Sequence, residues 1–170
     1  VFWNRGSFNF EAGKLCAFPT DGITGGAFAD CDGDGIRDLL IFRRRHGDQS
    51  ASRDQIVLYL GNGSGQFPDE PAAALITPIE LHVPDSCAIG DIDADGDLDL
   101  WLTQYKMPYR GGQMPTPYYD ANDGWPSYLL LGDGQGKFAD ATLNGGLATK
   151  RHRRTYRSSF VDLDDDSDLD

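Results

Sequence analysis

The chain is poor in the residues that most often carry covalent architecture or catalysis. Its three cysteines, Cys16, Cys31 and Cys87, are too few and too odd in number for the disulfide framework of a small secreted domain. The three histidines, His46, His82 and His152, stand alone without metal-ligand spacing, and no Gly-x-Ser-x-Gly, His-Glu-x-x-His or phosphate-cradling glycine loop occurs. Triad hydrolysis, zinc hydrolysis and nucleotide-phosphate chemistry therefore have no support, and the chain reads as a non-enzyme. Neither a signal peptide nor a transmembrane run is present. Positive charge is scarce: 15 Lys and Arg stand against 27 Asp and Glu, a net charge of −12 that argues against nucleic acid as a partner.

What is abundant is aspartate, in one repeated pattern. Asp30-Cys-Asp32-Gly-Asp34-Gly-Ile-Arg-Asp38 recurs as Asp91-Ile-Asp93-Ala-Asp95-Gly-Asp97-Leu-Asp99 and as Asp162-Leu-Asp164-Asp-Asp166-Ser-Asp168-Leu-Asp170. Fifteen of the 27 acidic residues lie in these stretches, so the remainder of the chain carries a surplus of about three positive charges. Carboxylates at positions 1, 3, 5 and 9 of a tight loop repel one another unless a hard divalent cation sits among them, and oxygen ligands select Ca²⁺. Bound calcium would also hold them ionised, which leaves no general acid or base among them.

An EF-hand would need Glu at position 12 and a following helix, whereas Ile41 and Leu102 stand there and open no helical pattern. Leu39–Phe42 and Leu98–Leu102 are short apolar runs that read as strands. Small and apolar residues also precede each ladder, so the acidic loop joins the two strands of a hairpin. A second motif alternates with it. Ile56-Val-Leu-Tyr-Leu-Gly-Asn-Gly-Ser-Gly-Gln-Phe67 matches Tyr128-Leu-Leu-Leu-Gly-Asp-Gly-Gln-Gly-Lys-Phe138, and Val1–Phe10 is a decayed copy. Asn-Gly and Asp-Gly supply the positive φ of tight hairpin turns.

One unit is thus strand, aspartate loop, strand, strand, glycine turn, strand. The ladders start 61 and 71 residues apart. The expected class is all-β, with β-propeller blades of four antiparallel strands. Residues 25–69 and 86–142 would each be a blade, 1–13 the end of a preceding one and 157–170 the start of the next. A start within a hairpin and an end on the last ligand of a loop read as part of a larger propeller, whose remaining blades would be the first partners.

These motifs resemble the FG-GAP/VCBS repeat family, which includes the integrin α propeller; Trp125–Thr142 followed by Gly145-Gly-Leu147 is similar to the repeats of ASPIC/UnbV and cartilage acidic protein relatives. The likeness spans nearly the whole chain. It implies a propeller of about seven blades with Ca²⁺ in hairpin loops. By that resemblance the ligands are Asp30, Asp32, Asp34 and Asp38 with the Ile36 carbonyl, and Asp91, Asp93, Asp95 and Asp99 with the Asp97 carbonyl. The third set is Asp162, Asp164, Asp166 and Asp170, with Asp168 at the carbonyl position. Ser167 departs from the Gly35 and Gly96 of the other loops, an expensive change where φ is positive.

The 105–125 segment is a blade insertion rich in Tyr, Pro and Gly, and Tyr109, Tyr118, Tyr119 and Trp125 are the expected ligand face. The same residues suit a plug over the ring equally well. Arg43–His46 and Lys150–Arg154 are basic clusters that fit an anionic glycan or membrane surface, or solvated loops balancing the carboxylates. Three functions are compatible with these features. The favoured one is a calcium-binding module for adhesion to an extracellular protein or glycan; the others are the propeller part of a secreted polysaccharide-acting enzyme and a scaffold. Rigid open calcium sites place it in a secreted, periplasmic or cell-surface setting.

Overall fold

The computed structural model describes residues 2–13, 22–43, 55–72, 79–106 and 122–170. Among them there is no α-helix, and every sheet is an antiparallel meander of consecutive strands. Strands β1 (Phe2–Asn4) and β2 (Phe10–Ala12) form a hairpin; β3 (Ile23–Ala29), β4 (Asp38–Arg43) and β5 (Gln55–Tyr59) form a second sheet. The third sheet has four strands, β6 (Pro84–Gly90), β7 (Asp99–Gln104), β8 (Tyr128–Gly132) and β9 (Phe138–Asp140). Among the described residues no sheet closes on itself.

The two larger sheets repeat each other in register. Ala29 pairs with Asp38 and Gly90 with Asp99, so each aspartate loop closes a hairpin on its position-9 residue. Both hairpins also carry an irregularity at the far end, between Ile23 and Gly25 and between Pro84 and Ser86. The expected fourth strand of the first unit does not form. Pro68 stands where Ala139 sits in β9, and without an N–H it cannot continue the ladder. Only Ala72 returns, donating its N–H to the Leu58 carbonyl at 2.8 Å. Residues 157–170 form no strand either, but Val161 and Asp170 exchange backbone hydrogen bonds of 3.4 and 3.0 Å, the pairing that closes the other two loops.

The central strands read as near-continuous apolar runs because both faces are covered. Leu40, Phe42 and Leu58 from one sheet and Leu100, Leu102 and Leu130 from the other are fully buried in a single cluster, which joins the sheets face to face. Truncating one of these leucines to Ala removes roughly 2–5 kcal/mol. Polar contacts fix the pairing at each end. Thr24 Oγ1 donates to the Pro84 carbonyl at 2.6 Å, and Gly136 N–H donates to the Cys31 carbonyl at 2.9 Å. Gly25 is a close-approach position: a Cβ there would lie 2.8 Å from the Asp85 carbonyl oxygen.

Candidate metal centres and a ligand face

The aspartate loops are built from short-range hydrogen bonds that aspartate is suited to make, its carboxylate accepting from N–H groups a few residues on. At position 1, Asp30 accepts from Gly35 N–H at 2.9 Å, Asp91 from Asp95 and Gly96 at 3.1 and 3.0 Å, and Asp162 from Asp166 and Ser167 at 3.2 and 2.9 Å. At position 5, Asp34, Asp95 and Asp166 accept from Ile36, Asp97 and Asp168 at 2.7, 2.9 and 2.9 Å. The winding requires a left-handed residue at position 6, where Gly35, Gly96 and Ser167 have φ of 84°, 96° and 78°. Position 4 is left-handed too, and only the first loop has glycine there; Ala94 and Asp165 adopt φ of 59° and 61°.

Position 9 has a structural role that the repeat pattern alone does not show. Asp38 and Asp99 are each 1% exposed and serve as junctions. One oxygen of Asp38 accepts from Cys31 N–H and the other from Gly61 N–H, both at 2.8 Å. Asp99 does the same with Ile92 at 2.8 Å and Gly132 at 2.9 Å. A carboxylate in the acidic loop thus ties it to the glycine turn after the next strand. The signal was in the sequence, since a Leu-Gly-Asn/Asp-Gly turn follows each of the first two ladders.

In each loop positions 1, 3 and 9 converge: Asp30, Asp32 and Asp38, Asp91, Asp93 and Asp99, and Asp162, Asp164 and Asp170 each bring one carboxylate oxygen within 4.8 Å of the others. Asp34, Asp95 and Asp166 stand outside these groups. Position 7 turns its side chain to the neighbouring glycine turn: Ile36 lies against Gly63, and the Asp97 carboxylate lies over Gly134, leaving no room for a Cβ.

Burial acts on one carboxylate in each of the first two clusters. Desolvation, then the negative charge of Asp38, holds the Asp32 carboxyl above the usual carboxylate range. Desolvation likewise raises Asp99, against the opposing pull of the Gly132 and Ile92 N–H groups. Asp133, in the glycine turn, is lowered by the N–H groups of Lys137 and Gln135. In the first loop Asp30 Oδ1 is buried and accepts no hydrogen bond. A buried, unpartnered oxygen on a member of a three-carboxylate group fits a hard cation.

Of the expected ligand face, Trp125 is described, while Tyr109, Tyr118 and Tyr119 lie outside the described residues, as do Cys16 and residues 44–46 of the first basic cluster. Trp125 is half-buried at the end of the sheet opposite the loops. Its ring stacks on His82 at 3.6 Å between centroids, with Lys106 Nζ 5.2 Å from its centroid. Buried Gln104 binds this end together, donating to the Glu80 and Pro126 carbonyls at 2.9 and 2.7 Å and accepting from His82 N–H at 2.7 Å. In the second basic cluster Arg154 grips Asp123 with bonds of 3.0 and 2.8 Å and the Lys106 carbonyl at 2.9 Å. Arg151 lies over Tyr128, 5.4 Å from the ring centroid. These two cations brace the insertion's base. No known protein family, curated protein or solved structure matches the chain.

Proposed function

We propose that the chain is a calcium-stabilised repeat module of the FG-GAP/VCBS β-propeller type, working outside the cytoplasm by recognition of a protein or glycan rather than by catalysis. The observation that carries this reading is the threefold convergence of positions 1, 3 and 9 within 4.8 Å, with the orphaned Asp30 Oδ1 at the first site. Calcium there would neutralise carboxylates that otherwise repel one another. Asp30, Asp32 and Asp38 and their counterparts would hold it, and the buried position-9 aspartate would pass the restraint to the glycine turn. The end opposite the loops, around Trp125, then serves as the contact face.

The test is thermal unfolding with calcium and with chelator. Calcium at a hundred times its Kd adds about 2.7 kcal/mol per site, so the melting midpoint should rise clearly and fall back on chelation. Replacing both Asp32 and Asp93 with Ala should abolish the rise, and an equal rise in that variant would refute the assignment of the loops.

A further inference from the structure

The first loop has a second side. Between the β1–β2 hairpin, Phe28 of β3 and the turn after β5 lies a cavity of about 590 Å³, within the range of small-ligand sites. Trp3 and Phe28 form apolar walls, and the Phe28 ring meets Phe67 with 6.1 Å between centroids. The polar side chains are Arg5, Arg37, Asn62, Ser64 and Gln66, and among the described residues no carboxylate lines the space. Arg5 is paired with Glu11 at 2.9 Å, whereas Arg37 has no ion pair or hydrogen bond among the described residues. Asn62 Oδ1 accepts from the Ser64 N–H at 3.0 Å and hydroxyl at 2.6 Å, which leaves the Asn62 amide hydrogens, with the Gln66 amide, available to a guest.

We propose that this cavity binds a carboxylated sugar, a uronic acid unit of an acidic saccharide. The aromatic faces suit the apolar face of a pyranose ring. The unpaired Arg37 guanidinium suits a carboxylate, in a charge-assisted pair stronger than a neutral hydrogen bond. The two amides suit ring hydroxyls, which both donate and accept. A neutral sugar would leave Arg37 without a partner, and a flat aromatic acid would leave the amides without one. The site goes beyond the recognition reading above, since it uses neither the loop carboxylates nor the 105–125 insertion.

Isothermal titration of the 170-residue chain, in calcium-containing buffer, with glucuronic acid, glucose and benzoate tests it. Glucuronate should saturate one site, with glucose and benzoate at least about tenfold weaker, equivalent to about 1.4 kcal/mol. Arg37→Ala alters an exposed, unpartnered side chain, so it should leave the melting midpoint in place and weaken glucuronate about tenfold, with partial recovery in Arg37→Lys. Should Arg37→Ala fold poorly, Gln66→Ala gives the same test through the hydroxyl contacts, with an expected loss of about threefold. Absence of saturable glucuronate binding, equal binding of glucose, a preference for benzoate, or unchanged affinity in the folded variants would overturn the proposal.

Discussion

The first two aspartate loops and the third have the same winding in different surroundings. Asp38 and Asp99 are buried and accept from two N–H groups each, one in their own loop and one in the glycine turn beyond the next strand. Asp170 is exposed, and among the described residues its carboxylate accepts only from Leu163 N–H at 2.9 Å. Position 2 follows the same gradient: Cys31 is 4% exposed in the core, Ile92 is half-buried, and Leu163 is 76% exposed. The loop's shape is therefore a local property, because the hydrogen bonds within it span seven residues or fewer. Its rigidity is not local, because the position-9 carboxylate needs a partner 23 residues away in one sheet and 33 in the other.

The largest break in that comparison should come from position 9. Asp99→Ala leaves two partly or fully buried N–H groups without an acceptor and should lower stability by about 3 kcal/mol, whereas Asp170→Ala should lower it by about 1 kcal/mol or less. Urea unfolding of both variants in calcium checks this, and equal losses would show that the junction to Gly132 adds nothing.

A smaller change should bring the loops closer together. Ser167 at φ 78° is strained where Gly35 is not, so Ser167→Gly should relieve about 1 kcal/mol and Gly35→Ser should add about as much strain. The expected readout is a stronger calcium response from the third loop in the first variant and a weaker one from the first loop in the second, seen as calcium-dependent amide shifts. Ala94→Gly should act in the same direction as Ser167→Gly, a position the ladder pattern did not flag.

The smallest effect concerns the thiols at the core side of the first loop. Burial, then the charge of Asp38, pushes the Cys31 thiol up to about 12, and burial pushes Cys87 up to about 12 as well. A raised thiol favours the protonated native state. Its contribution is fully present below the unfolded value of 9.0 and is lost as pH rises from there toward 12. Both thiols should resist alkylation at pH 8 in the folded protein and react fully in denaturant; rapid labelling of Cys31 in the native state would show that the first loop opens.

Much of this was legible from spacing. The ladder predicted three hairpin loops, and Ala29 pairing with Asp38, Gly90 with Asp99 and Val161 with Asp170 gives each the expected closure. The alternation of acidic loop and glycine turn predicted the four-stranded order of β6 to β9. The first unit's missing fourth strand was legible in retrospect, since Pro68 occupies the place of Ala139. The left-handed position 4 was hidden because only Gly33 marks it, whereas Ala94 and Asp165 adopt the same positive φ without a glycine.

Sequence alone determined what depends on neighbours along the chain: strand and turn periodicity and the acidity of three loops. Tertiary structure alone decided which carboxylates converge, which of them is buried, and which glycine turn answers each one. It also closed Trp3 over the turn at Gly65 and so created the cavity beside Arg37. The reason is one of range: a backbone turn is set by torsions and hydrogen bonds a few residues long, whereas desolvation of a carboxylate or a guanidinium depends on which distant strand comes to rest against it.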